Sequence, residues 1–368
     1  MTDSPMSSNK MSTVPSKRFP SKRSPSKRSA TFWRDRLTRS IMNAWYGSGR
    51  WTLLLLPLTA LFKWLARRRC QKTIRSQRWQ PPVPVVVVGN LSVGGTGKTP
   101  VVAALVRFFQ KKGYRPGIAS RGFGADAQSL PLLVTADTNP AIAGDEPVML
   151  AQQLQVPVMV DPDRVSAARA LIERSGCNLI ITDDGLQHYR LHRHVEIVVI
   201  DGQRMLGNGL CLPAGPLREP PERLQTVDQV LVNGAPSGDL PVDFDCFYLE
   251  TAGLVPVACT DCSPPQGGKV HAVAGIGNPE RFFRTLESLG FSVIPHGFPD
   301  HHGFVPEDIA FDDDLPVLMT AKDAVKCRGF AGNNVWYLPV QAHIPEAVLN
   351  KMVQLVETNA PDSLSKIG

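Results

Sequence analysis

The sequence predicts an α/β protein built from two parallel-sheet units. Short apolar runs alternate with helical patterns along most of the chain, at the spacing of strand–helix–strand crossovers. The stretch 85–99, VVVVGNLSVGGTGKT, joins a buried strand to a helix through glycines. A second alternating unit begins near residue 265, after a stretch without helical signal.

The 85–99 stretch anchors the first unit. Four consecutive valines with a polar, glycine-rich stop read as a central strand covered on both faces. Gly97-Lys98-Thr99 then leads into a helix expected from Pro100 to residue 112, with Gly113 as its stop. Strand, glycine loop, Lys-Thr and helix form the phosphate-cradling P-loop layout. Backbone N–H groups from Ser92, Val93, Gly94, Gly95, Thr96 and Gly97 would face phosphate oxygens. Lys98 would reach the outer phosphates, and the Thr99 hydroxyl would hold Mg²⁺. The pattern departs from the general one at Ser92, where glycine is usual; Gly94 and Gly95 supply the flexibility.

Charge divides the chain. Residues 1–80 carry 18 Lys/Arg against Asp3 and Asp35, a net +16, which leaves −9 for the remaining 288 residues. A basic flank on an acidic body suggests an anionic surface as partner. Residues 1–32 are low in complexity, with SKR recurring three times, and are expected to be a disordered basic extension. Residues 33–80 change character. The apolar run 51–66 is 16 residues long and is interrupted by Pro57 and Lys63, whereas a membrane span needs about 20 apolar residues. Arg34, Arg36, Arg39, Trp45, Tyr46 and Arg50 precede it; Trp64 and Arg67-Arg68-Arg69 close it. This pattern predicts interfacial helices on an anionic leaflet, with a hairpin packed on the protein's own core as the plainer alternative.

The first unit is expected over 81–240. After the P-loop helix come strands at 116–120 and 130–135, a helix opened by Gly144-Asp145-Glu146-Pro147, a strand at 156–160 and a helix at 164–174. Further strands follow at 179–184, 195–201 and 229–233. Residues 241–264 read as an extended connector and 265–368 as the second α/β unit. Its expected elements are strands at 270–274, 316–320 and 335–340, and helices at 279–289 and 345–357. Seven scattered cysteines and no secretory signal read as reduced thiols, with the CxxC of Cys259 and Cys262 incidental.

Several polar clusters are candidates for chemistry. Asp183-Asp184 ends an apolar strand, where ligands bind in open α/β sheets. An Asp there is the expected Mg²⁺ partner of a P-loop. Asp184 is a second ligand or a helix cap. Asp145 and Glu146 open a helix, so they either complement its dipole or serve as general base and Mg²⁺ partner. His301, in the Asp300-His301-His302 loop, is either solvated or reaches across to a base. Arg121 and Arg218 can clamp an anion bidentately; the residues alone leave both equally readable as surface arginines.

The motifs VVVVGNLSVGGTGKTP, SRGFG, GDEPVMLA, DDGLQHYRLHR, LPAGPLREP, GIGNPERFF and FPDHHGF follow one another in order. Together, from about Trp45 to about Glu357, they resemble the lipid A 4′-kinase family, the tetraacyldisaccharide 4′-kinases. The resemblance implies a P-loop NTPase-like α/β/α main domain and a smaller α/β/α domain, joined by a β-stranded linker, with membrane-engaging N-terminal helices. It implies transfer of the γ-phosphate of ATP, with Mg²⁺, to the 4′-hydroxyl of a tetraacylated disaccharide 1-phosphate in lipid A synthesis. The site implied is the cytoplasmic face of the inner membrane of Gram-negative bacteria.

By motif, Lys98 and Thr99 match the family's phosphate and Mg²⁺ residues. Asp145 matches its general base and His301 the partner of that base. Asp183 and Asp184 match residues of Mg²⁺ binding and active-site electrostatics. Glu146, Phe123, His188 and Arg218 fall in motifs near the nucleotide or the lipid head group. Phe123 stands where the family often has tyrosine, so a phenolic hydroxyl is missing there. The partners expected are the glycolipid and a membrane surface, with no nucleic acid, and the chain is expected to be a monomer. A membrane-associated P-loop switch or metallochaperone is the alternative; it would need a metal-binding Cys/His cluster.

Overall fold

The structure is a computed structural model and describes residues 25–76, 78–122, 129–259 and 262–360. Helix α1 (Pro25–Tyr46) comes first, then a 3₁₀ turn (Trp51–Leu55) and α2 (Leu56–Ser76). Helix α1 begins at Pro25, a residue suited to a first helical turn, inside the stretch 1–32 expected as a basic extension. Residues 1–24 lie outside the described residues. Among the described residues no helix is long and apolar enough to cross a membrane.

The first unit then runs β1 (Val85–Gly89), α3 (Lys98–Lys111), β2 (Pro116–Ser120), β3 (Leu132–Val134), α4 (Pro140–Ala143), α5 (Asp145–Leu154), β4 (Val158–Val160), α6 (Arg164–Ser175), β5 (Leu179–Asp183), β6 (Val195–Asp201) and β7 (Gln229–Asn233). Two strands follow in the connector, β8 (Asp245–Thr251) and β9 (Val255–Pro256). The second unit holds β10 (Gly268–Ala274), α7 (Pro279–Ser288), β11 (Phe291–Gly297), α8 (Pro306–Ile309), β12 (Val317–Thr320), α9 (Ala321–Cys327) and β13 (Val335–Leu338). The chain ends in β14 (Val340–His343) and α10 (Glu346–Asn359).

Nine strands form the large sheet, in the order β14-β8-β7-β6-β1-β5-β2-β4-β3. It is parallel except at its edges, where β14 and β3 run antiparallel to their neighbours. The four valines of β1 are buried on both faces, as a central parallel strand requires. Alternate residues serve opposite layers: Val86 and Val88 pack under α3, α5 and α10, while Val85 and Val87 pack with α6 and with Phe62 of α2. The small sheet has the order β11-β10-β12-β13-β9. All its pairs are parallel except β13–β9.

Four local expectations change. The P-loop helix starts at Lys98, not Pro100; Pro100 sits within the first turn, where no intrahelical partner for its missing N–H is needed. The strand expected over 335–340 is two strands in different sheets, broken at Pro339, which cannot donate to a ladder. Residues 340–359, expected within the second unit, return to the large sheet: β14 pairs with β8, and Val348, Met352, Val353 and Val356 of α10 join the first core. Cys259 and Cys262 form a disulfide, against the expectation of reduced thiols; the three-residue separation brings their Cα atoms to 5.9 Å, within bridging distance.

Candidate active site

A cleft of about 570 Å³ opens between the carboxyl ends of the large sheet and the facing edge of the small one. Gly94, Gly95, Lys98 and Thr99 line it on the P-loop side. The loop needs its glycines for two reasons. Gly94 and Gly97 take φ of 102° and 97°, a region that side chains disfavour. A Cβ at Gly97 would lie 2.9 Å from Nδ2 of Asn233, which donates to the Thr96 carbonyl at 3.1 Å. Ser92, Val93, Thr96 and Gly97 do not line the cleft. They shape the loop from behind, with the Val93 N–H donating to the Pro216 carbonyl at 2.9 Å.

At the end of β5, Thr99 Oγ1 lies 3.4 Å from Asp183 Oδ2, while Asp183 Oδ1 is buried with no hydrogen-bond partner. That orphaned oxygen beside a hydroxyl is a fit for a hard cation. Among the described residues no three His, Cys, Asp or Glu side chains converge on a metal position. A cation here would therefore depend on Thr99, Asp183 and ligand oxygens, the pattern Mg²⁺ shows in nucleotide sites. Burial pushes the Asp183 carboxyl well above the usual carboxylate range, and Glu146 adds to this; Lys98 opposes it. Behind the strand sits Arg164, 2% exposed, with its guanidinium 2.9 Å from the Asp161 carbonyl and 3.5 Å from that of Asp183. Burial lowers its pKa to about 10, so it remains a fixed cation beneath the site.

Asp184 adopts a left-handed φ of 53°. Both its oxygens accept from Arg218 Nη1, at 3.1 and 3.0 Å, and Lys98 Nζ stands at 3.7 Å. Burial would raise its pKa, but Lys98 and Arg218 outweigh that and hold it ionised below its ordinary value.

Across the cleft the two units meet at Asp145 and His301. Gly144, at φ 90°, turns the chain into α5 and places Asp145 in its first turn. His301, at φ 59°, points Nδ1 at both Asp145 oxygens, at 3.2 and 3.1 Å. Burial pushes the Asp145 carboxyl up; the His301 hydrogen bond and the Lys322 and Lys326 ammoniums prevail and hold it below the usual range. The Asp145 hydrogen bond raises the pKa of His301, against burial and Lys322.

Three candidates stand apart from this arrangement. Glu146, expected as a Mg²⁺ partner, lines the cleft, and its carboxylate lies 3.3 Å from Lys322 Nζ. His188 does not line the cleft. Its Nε2 accepts from the Arg164 backbone N–H at 3.2 Å, and burial together with the charge of Arg164 lowers its pKa to about 4. It braces α6 rather than facing a substrate. Phe123 lies outside the described residues. Arg121 and Arg218 do line the cleft.

Sequence reasoning passed over Lys322, Lys326, Arg164, Asp201 and Arg281. Arg281 of α7 reaches Asp201, at the end of β6, at 3.4 Å across the cleft. Asp201 ends a strand of the same sheet as Asp183, a signal the sequence carries. Lys322 and Lys326 sit on a seven-residue helix, and only the packing of α9 against α5 brings Lys322 to the cleft and Lys326 within 3.7 Å of Asp145.

A P-loop whose Lys-Thr faces a strand-end aspartate pair, at the carboxyl edge of a parallel sheet, defines a P-loop nucleotide-binding protein. The second unit, lending a histidine to a carboxylate beside that loop, narrows the class to one that works on a second ligand in the cleft. The chain belongs to the tetraacyldisaccharide-1-P 4′-kinase (LpxK) family, whose model matches residues 51–357. It is 48% identical over 323 residues to the tetraacyldisaccharide 4′-kinase of Alcanivorax borkumensis, covering 86% of this chain and 97% of that one. The enzyme of the same description from Nitrosococcus oceani is 45% identical over 341 residues, covering 88% and 96%. Among solved structures, LpxK from Aquifex aeolicus in complex with ATP, described as an "apo" form, superposes with a TM-score of 0.70 at 27% identity. That match covers 83% of this chain and 99% of the other.

Proposed function

We propose that this chain transfers the γ-phosphate of ATP to the 4′-hydroxyl of a tetraacyldisaccharide 1-phosphate, the 4′-kinase step of lipid A synthesis. The observation that carries the chemistry is the Asp145–His301 pair, held by both units opposite Lys98 and Thr99. Loop amides and Lys98 bind and orient the phosphates, and Lys98 offsets charge developing on the transferred group. Asp145 accepts the proton of the attacking hydroxyl, and His301 orients its carboxylate. Arg218 keeps Asp184 ionised and in place beside Lys98. When bound at Thr99 and Asp183, Mg²⁺ would neutralise phosphate charge.

The chain works at a membrane surface in this reading, on the cytoplasmic face of the inner membrane, as a monomer. Trp51, Leu53, Leu54, Leu58, Leu61 and Trp64 are exposed on the 3₁₀ turn and α2. Arg67, Arg68 and Arg69 continue the same helix. Apolar side chains beside cations suit an anionic leaflet, where the acyl chains of the substrate reside.

The test is γ-phosphate transfer from labelled ATP to purified disaccharide 1-phosphate lipid in detergent, with Mg²⁺ and with EDTA. Mg²⁺-dependent product phosphorylated at the 4′ position is expected. ATP hydrolysis without lipid product would overturn the kinase reading and favour a nucleotide switch.

A further inference from the structure

We infer that Lys322 is a positioning residue that fixes His301 in its Nδ1–H tautomer, the form that donates to Asp145. The inference rests on the reading of Asp145 as the base that takes the hydroxyl proton. Lys322 is the first lysine of α9, and its side chain is largely buried in the cleft wall. Its Nζ stands 3.1 Å from Asp300 Oδ1, 3.3 Å from Glu146 Oε1 and 3.3 Å from His301 Nε2. Asp145 Oδ2 is further away, at 4.0 Å.

An ammonium has three N–H donors and no acceptor. Asp300 Oδ1 and His301 Nε2 take two of these donors, and Glu146 stands at ion-pair distance; the two carboxylates keep the amine charged. Because the ammonium can only donate, His301 Nε2 must present a lone pair to it. A neutral imidazole carries its one proton on the other nitrogen, so Nδ1 is the donor and Asp145 the acceptor. Asp300 locks the arrangement from the loop side: its Oδ1 also accepts the His301 backbone N–H, at 3.1 Å. Lys326 flanks Asp145 at 3.7 Å and is itself paired with Asp323 at 2.9 Å.

The consequence for the reaction is specific. In the opposite tautomer the Nδ1 lone pair would face the Asp145 carboxylate, acceptor against acceptor, and the pair would separate. With Nε2 occupied by Lys322, His301 orients Asp145 and does not carry the proton away. The proton taken from the hydroxyl rests on the carboxylate until it leaves to solvent. Lys322 thus acts on catalysis through His301, and among the described residues its hydrogen bonds and ion pairs go to Asp300, His301, Glu146 and Asp145.

The experiment is nitrogen NMR of the full-length protein in detergent, with ¹⁵N-labelled histidine, and His301→Gln to assign the resonance among the eight histidines. The tautomer is read from the neutral form in a pH titration. Wild type is expected to show a proton-bearing Nδ1 and a bare Nε2. In Lys322→Met the Nε2–H form should appear, with kcat down about tenfold or more and the KM for ATP unchanged. Lys322→Arg should restore the wild-type tautomer and part of kcat. A wild-type Nε2–H tautomer overturns the inference, and so does a Lys322→Met spectrum unchanged at His301. The wild-type Nε2–H outcome overturns it even where a variant fails to fold, and Lys322→Arg against Lys322→Met separates the part of Lys322 from that of Asp145. Absence of lipid product from wild-type enzyme would instead sink the kinase reading, and the tautomer measurement would stand apart from it.

Discussion

The hydroxyl of Thr59 accepts the backbone N–H of Ala214 at 3.1 Å and donates to the Cys211 carbonyl at 3.3 Å. One side chain on the helix with the exposed leucines thereby closes on the 211–217 loop. Trp45 and Asn208 reinforce the join: Trp45 Nε1 donates to the Pro213 carbonyl and the Asn208 N–H to the Trp45 carbonyl. The same loop meets the P-loop segment, where the Arg218 N–H donates to the Leu91 carbonyl at 2.6 Å. The N-terminal helices are thus hydrogen-bonded, through one loop, to the segment that carries the phosphate site.

Thr59→Val keeps the shape and removes both bonds, leaving the buried Ala214 N–H without its partner, while the Cys211 carbonyl keeps the Gly215 N–H at 3.0 Å. Stability should fall by about 1–3 kcal/mol, the usual penalty for such groups. Denaturant unfolding measures it. A midpoint equal to wild type would show that the join bears no weight in the fold.

Lys98→Ala should lower kcat by about 100-fold or more, since a preorganised donor to developing charge is lost. Asp145→Asn should lower it by a comparable factor, within the roughly 10²–10⁴ range of general-base catalysis, with the KM for ATP little changed. Steady-state kinetics on the lipid substrate check both, with circular dichroism to confirm folding. Full turnover in either variant would remove that residue from the mechanism.

The fold of the first unit was legible because its signals are local. Four valines, a glycine loop and Lys-Thr specify β1 and the turn into α3 without help from elsewhere, and β2, β6 and β7 match their expected bounds residue for residue. Asp183 was legible for the same reason, as an acid closing an apolar run. Lys322 was not. AKDAVKC reads as any short surface helix, and its two lysines matter only because α9 packs against α5, more than 150 positions away in sequence. His188 shows the opposite failure: a histidine in a polar motif looks functional, yet the backbone N–H of Arg164 claims its lone pair. The second strand hidden in 335–343 was masked because Pro339 interrupts an otherwise continuous extended pattern.

Acid should destabilise the protein through two histidines. His188 Nε2 and His194 Nδ1 each accept a backbone N–H, from Arg164 and Val85, so each must be neutral in the fold. Burial lowers both pKa values to about 4. The unfolded chain, with an ordinary histidine pKa of about 6.5, then binds more protons than the folded one between these values. Stability falls as pH drops from about 6.5 towards 4, with a slope of at most about 1.4 kcal/mol per pH unit for each histidine. Unfolding midpoints across that window test it, and His188→Asn should flatten the dependence. An equally steep loss in that variant would assign the effect elsewhere.

Leu54, 83% exposed, lies on the apolar surface that the proposed membrane contact would bury. Leu54→Glu should weaken binding to phosphatidylglycerol vesicles in sedimentation, and added salt should weaken wild-type binding as well, because the arginines of α2 share the contact. Turnover of detergent-dispersed substrate should be unchanged. Undiminished vesicle binding by the variant would place the membrane contact on another surface.

The small sheet is reached by two strands and not one. The outgoing segment, β8 and β9, runs antiparallel beside the returning β13 and β14, with Thr251 opposite Val340 and Pro256 opposite Trp336. A single tether would act as a swivel and let the far half turn freely. Two paired strands act as a strap hinge: they resist twisting and shear, and yield to flexing across their width. Any opening of the cleft would thereby be guided along one arc, which returns His301 to the same carboxylate.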